Sequence, residues 1–147
     1  MIALISRLVI CLTLFSQGSL GQYADRVWCF GDSAGIDFSN GSNPIAFSTN
    51  LRSRGSCASI SDVNSKLLFY AYTRAGLAGE TTIVRDSSHN LMLNGDNIVG
   101  QGWYNELVIV PMPASANSLY LFTHGLTSSG LQGLYYSIID ISQNGGY

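Results

Sequence analysis

From Gln22 onward the apolar residues come in short runs, rich in β-branched and aromatic side chains, each cut off within a few positions by Gly, Asn, Ser or Asp. No run sustains the three-and-four spacing of an amphipathic helix, and short apolar runs between turn residues predict strands joined by hairpins. The strands are expected near Arg26 to Phe30, Gly35 to Phe38, Pro44 to Ser48, Cys57 to Ser61, Lys66 to Thr73, Thr81 to Arg85, Leu107 to Pro111, Ser118 to His124 and Leu134 to Ile141. Asp62-Val63-Asn64-Ser65 and Ala114-Ser115-Ala116-Asn117 have the composition of hairpin turns, because Asn, Asp and Ser bond their own backbone there. The expected fold class is all-β.

Two architectures suit such a chain: a β-sandwich, or a set of propeller blades. An internal comparison favours the blades. Ala58 to Tyr70, ASISDVNSKLLFY, lies over Val108 to Phe122, VIVPMPASANSLYLF, as strand, polar hairpin and aliphatic-aromatic strand. The offset is about 50 residues, within the range of β-propeller repeats. Each copy leads through a Gly-containing connection to a third strand, ending at Val84-Arg85-Asp86 and at Ile139-Asp140-Ile141. Leu67-Leu68-Phe69-Tyr70, Leu107-Val108-Ile109-Val110 and Leu119-Tyr120-Leu121-Phe122 are apolar at consecutive positions, so both faces are expected to be covered, as in strands clamped between neighbouring blades. The expectation is a partial β-propeller of about two to three blades, with the β-sandwich as alternative.

The first residues carry a different pattern. Met1 to Gly21 has a positive charge at Arg7, an apolar stretch from Leu8 to Phe15 and a polar end at Ser19-Leu20-Gly21. That is the layout of a secretory signal peptide, with cleavage expected between Gly21 and Gln22. The stretch is far short of the roughly 20 apolar residues that cross a bilayer, so no membrane span is expected in the mature chain, which occupies 22–147. The expected location is secreted, extracellular or at the cell surface. Cys11 leaves with the leader, and Cys29 and Cys57 remain as an even pair in an oxidising compartment. They are a candidate disulfide; the alternative is two buried thiols packed as small hydrophobes.

Charged residues are 11% of the 147, against about a quarter in ordinary domains, and the formal net charge is -2. Nothing basic is concentrated enough to suggest a nucleic-acid partner.

Several segments taken in order resemble the opening region of a known family. They are Trp28 to Phe38, Cys57 to Asp62 leading into Leu67-Leu68-Phe69-Tyr70, Met92-Leu93-Asn94-Gly95, Ile109 to Pro113, Tyr120 to Thr123, and Gly133 to Asp140. Together they resemble the N-terminal WD-repeat-like β-propeller region of large secreted bacterial proteins that typically end in a type IX secretion sorting domain. The likeness covers nearly all of the mature chain. Ser65 departs from it where these proteins often carry a hairpin Gly, as do the segment from Tyr72 to Gly79 and the pair Asn105-Glu106. The resemblance implies a propeller of about four to eight blades. This chain then reads as a fragment whose partners include the missing downstream blades. It brings no catalytic residue with it.

Candidate chemistry is sparse. Gly31-Asp32-Ser33-Ala34-Gly35 matches G-x-S-x-G, the nucleophile elbow of esterases, with Asp96 or Asp140 and His89 or His124 available in the required chain order. An elbow needs a strand before the serine and a helix after it, whereas Ile36 to Gly41 has no helical face, so a tight turn is the expected reading. His89 and His124 stand alone and are expected in surface turns, and Asp32, Asp37, Asp62 and Asp86 are expected to cap turns rather than hold a metal. Trp103, in a Gly-rich loop, is the candidate ligand contact. Trp103-Tyr104 and Tyr135-Tyr136 could serve a sugar ring through only one member of each pair. Asn40-Gly41-Ser42 matches the glycosylation sequon. No cofactor or metal is expected. The expected function is a non-catalytic binding or scaffold module with an unknown protein or glycan ligand; the alternatives are a secreted hydrolase or a carbohydrate-binding sandwich.

Overall fold

A computed structural model of the chain describes residues 25–53, 55–74, 81–100, 107–125 and 130–143. The expected leader at 1–21, Trp103-Tyr104 and Gly145-Gly146-Tyr147 lie outside the described residues. The chain is all-β. Its strands are β1 (Val27–Phe30), β2 (Asp32–Asp37), β3 (Ile45–Arg52), β4 (Cys57–Ser61), β5 (Leu67–Thr73), β6 (Thr82–Asp86), β7 (Val108–Pro111), β8 (Ser118–Gly125) and β9 (Gly133–Asp140). They form three antiparallel three-stranded meanders, β1-β2-β3, β4-β5-β6 and β7-β8-β9, none closed into a barrel.

Every expected strand is present, and β3 continues four residues past the expected end at Ser48. The added part alternates, with Thr49 and Leu51 buried and Asn50 and Arg52 exposed, and Arg52 pairs with Asp32. One face of an outwardly polar segment is thus drawn into the core.

The hairpins show how the local sequence sets the register. At the first β4-β5 turn the Asp62 carboxylate accepts from Asn64 N and Lys66 N, both at 2.8 Å, and Ser65 takes the left-handed φ of 66°. After β6 the same device recurs: Asp86 accepts from Ser88 N and Asn90 N at 2.8 Å, and His89 takes φ 68°. An aspartate that bonds the amides of its own turn selects this geometry. The second turn sends residues 91–98 back along β6, with Met92 N on Val84 O at 3.1 Å and Thr82 N on Ile98 O at 3.0 Å, so the second sheet gains an irregular outer strand.

A bulge in β5 decides which side chains go where. Ser61 pairs with Leu67 while Ile60 pairs with Phe69, so Leu68 is the extra residue and the in-out alternation reverses there. Leu67, Tyr70 and Tyr72 consequently share the face toward the first sheet, whereas Phe69 and Ala71 face the third.

The core is two layers. Val27, Cys29 and Leu51 of the first sheet meet Leu67, Tyr70, Tyr72 and Ile83 of the second. On the other side Ile60, Phe69, Ala71 and Val84 meet Leu107, Leu119, Leu121 and Ile139. Burying Phe69 or Leu121 completely contributes about 1.5–3 kcal/mol each. The leading strands lie side by side, β1 beside β4 and β4 beside β7, a propeller-like arrangement of three successive sheets. Coverage of both faces, expected for three segments, holds for Leu67 to Tyr70 alone. The outward side chains of the third sheet are open, with Val108 53%, Ile138 55% and Tyr136 64% exposed, because no described element packs beyond it.

Candidate functional site

Cys29 lies buried in the layer between the first and second sheets, and Cys57 is half-buried against the same cluster. Both are free thiols. Burial, with a smaller push from Cys57, raises Cys29 to about 12; burial also raises Cys57, partly offset by a hydrogen bond with the Gly31 backbone. Thiols held protonated in this way are poor nucleophiles at neutral pH.

The G-x-S-x-G segment is the β1-β2 hairpin. Gly31 and Ser33 adopt φ of 61° and 65°, the register shifts between Asp32 and Ala34, and the chain continues as β2 rather than as a helix. Ser33 Oγ donates to Leu51 O at 3.3 Å. Gly35 is required by its neighbour: the ring of its cross-strand partner Phe47 lies where a Cβ would stand.

His124 is exposed near the end of β8. His89 occupies a turn as expected, but it is a half-buried wedge rather than a free surface residue. Its ring stacks on Phe47 at 6.3 Å between centroids and tilts against Tyr70 at 5.7 Å. Asp37, Asp62 and Asp86 each accept turn amides. Among the described residues no group of three His, Cys, Asp or Glu is placed to hold a metal ion. Tyr136 joins Tyr120 and Phe122 in an aromatic cluster on the outer face of the third sheet, whereas Tyr135 lies on the opposite face of β9.

The structure brings together a set of residues that has no local signature in the sequence. Between the first two sheets lies a polar cleft of about 530 Å³, lined by Ser33, Asn50 and Arg52 on one side and by Tyr72, Arg74 and Arg85 on the other, with Ile83 as its apolar member. Arg85 is fixed in place, Nε donating to Tyr72 Oη at 3.2 Å and Nη1 to His89 O at 2.9 Å. Tyr72 Oη in turn donates to Asn50 O at 3.4 Å, and Asn50 Nδ2 donates to His89 O at 3.2 Å. Asn50 N donates to Tyr70 Oη at 3.2 Å, and burial pushes the Tyr70 phenol up to about 12. One network thus ties β3, β5, β6 and the turn after β6 around the cleft. Arg52, Arg74 and Arg85 are 22 and 11 positions apart in the chain; the β5-β6 pairing sets Arg74 and Arg85 on one sheet, and the packing of the first sheet on the second brings Arg52 to them.

A second cavity, of about 420 Å³, separates residues 92–98 from β9. Its one charged member, Asp140, is engaged by Ser142 and Gln143, and these hydrogen bonds hold its carboxyl below the usual range. No helix among the described residues is long and apolar enough to cross a membrane. Comparison with protein-family models, with curated proteins and with solved structures finds no match to this chain.

Proposed function

We propose that the chain is a secreted, non-catalytic binding and scaffold module, the N-terminal blades of a bacterial extracellular β-propeller. The observation that carries this reading is the outer face of the third sheet. Val108 and Val110 of β7, Tyr120 and Phe122 of β8, and Tyr136 and Ile138 of β9 form one apolar surface in register across all three strands. A contiguous exposed face of this kind is a contact surface. The occupant assigned to it is another antiparallel sheet of the same kind, because the second sheet already takes a neighbour of that type on each of its two faces. The leader-like residues 1–21 support export.

The test is sedimentation of residues 22–147 alone. With the face uncovered the protein should self-associate, and Tyr136→Lys with Ile138→Lys should return it to a monomer that melts at an unchanged temperature. A wild-type chain that is monomeric and melts cooperatively at high concentration would remove the scaffold reading. Covalent labelling by a serine-reactive phosphonate, lost in Ser33→Ala, would replace it with a hydrolase.

A further inference from the structure

The cleft between the first and second sheets has a composition that the scaffold reading does not use. Three of the seven Lys and Arg in the whole chain line one concavity, and among the described residues no carboxylate does. Like charges converging on one cavity repel, and the cost is relieved by an anion placed among them. The acids beside Arg52 across the β2-β3 ladder and beside Arg85 along the chain are otherwise oriented or employed. Asp32 stands opposite Arg52 in the β2-β3 register but does not line the cleft, and Asp86 is committed to the amides of its own turn.

The donors differ in kind. Arg85 is held at two points by Tyr72 Oη and His89 O, which sets the direction of Nη2, and among the described residues Nη2 has no bond of its own. Arg52 and Arg74 stand exposed at the cleft, and their side chains make no hydrogen bond or ion pair among the described residues. A planar guanidinium suits an oxyanion better than an ammonium does, since it can donate two parallel hydrogen bonds to two oxygens of one group. Three guanidinium groups exceed what a single carboxylate can satisfy and match a tetrahedral group with three or four acceptor oxygens. The cleft volume lies within the roughly 300–1,000 Å³ of small-molecule sites, so it has space for a body beyond the anionic group. Ser33 Oγ, whose hydrogen is directed to Leu51 O, and the Asn50 side chain add polar contacts for that body.

We propose that this cleft binds a small molecule carrying a phosphate or sulfate group, gripped by Arg52, Arg74 and Arg85. The site is independent of the scaffold reading, since it uses neither the outer face of the third sheet nor any partner sheet.

The experiment is calorimetric titration of the mature chain with inorganic phosphate and with sulfate, ionic strength being held constant with chloride. Saturable binding is expected, weakened about tenfold by Arg52→Gln and by Arg74→Gln, the loss of one charge-assisted contact. Both side chains are exposed and make no hydrogen bond or ion pair among the described residues, so these variants should melt at the wild-type temperature. Lys66→Gln, which removes a cation outside the cleft, should leave affinity unchanged. Titration with glucose 6-phosphate and glucose 6-sulfate then separates the two sources of the oxyanion, the tighter one naming the class. Absence of saturable binding by any of these probes, or equal affinities in wild type, Arg52→Gln and Arg74→Gln, overturns the proposal.

Discussion

The hydroxyl of Ser59 on β4 donates to the carbonyl of Val27 on β1 at 2.8 Å and accepts from Cys29 N at 3.2 Å, so one side chain satisfies the free edge of the neighbouring sheet. No ladder joins β1 to β4, and the two leading strands are coupled through this oxygen and the packing around it. Ser59→Ala should lower unfolding free energy by about 1–3 kcal/mol, because it strands backbone groups of a buried edge. A urea midpoint equal to wild type would show that water replaces the hydroxyl without loss.

Alkali should destabilise the protein through its buried acids. The Cys29 thiol is raised to about 12 from an ordinary value near 9.0, and Tyr70 to about 12 from 10.0. Above pH 9 the unfolded chain begins to release the Cys29 proton while the folded chain keeps it. The unfolded state then binds fewer protons, and stability falls as pH rises. The contribution is complete below about pH 9 and disappears between there and about pH 12; Tyr70 behaves alike from about pH 10. Melting temperature followed from pH 7 to 11 should decline, with a shallower slope in Cys29→Ala. A flat profile would contradict the burial of both groups.

Two turns of the same geometry predict opposite outcomes for one substitution. Ser65 and His89 both hold a left-handed φ, which costs an L-residue about 1–2 kcal/mol and glycine nothing. Ser65→Gly should therefore stabilise by about 0.5–1 kcal/mol after the greater freedom of unfolded glycine is deducted. His89→Gly relieves the same backbone but removes the ring between Phe47 and Tyr70, so it should gain nothing or lose stability. Chemical denaturation of the two variants side by side checks the contrast.

The pairing of Gly35 with Phe47 predicts an intolerant position inside the serine motif. Gly35→Ala must displace the Phe47 ring, at about 1–3 kcal/mol, and with it the Phe47-His89 contact. Gly31→Ala is costly for another reason, its φ of 61°, although open space surrounds it. Both variants should lower the melting temperature, and the Gly35 variant alone should perturb the His89 ring resonances in NMR. An undisturbed His89 would show that Phe47 yields without moving its neighbour.

Strand positions were legible because they depend on local chemistry: short apolar runs, and aspartates able to bond the amides of their own turn, as Asp62 does in the hairpin predicted from Asp62 to Ser65. The both-faces-apolar pattern of Leu67 to Tyr70 likewise announced a strand with neighbours on two sides, and the second sheet has them. The same pattern in Leu107 to Val110 misled as to coverage, since an apolar side chain records the surface it prefers and not whether an element lies over it. Register was less legible. Nothing around Leu67 and Leu68 shows which is the bulge residue, yet that choice sends one toward each layer.

The sequence alone settled the all-β class, the nine strands among the described residues and the turn chemistry, because each arises from interactions within a few residues. The tertiary structure alone decided that Ser59 closes the edge of β1, that His89 is a wedge, and that Arg52, Arg74 and Arg85 share a cleft. Those relationships join residues up to about 40 positions apart, and the face-on stacking of sheets that brings them together is set by packing across the whole core, which no short window of sequence contains.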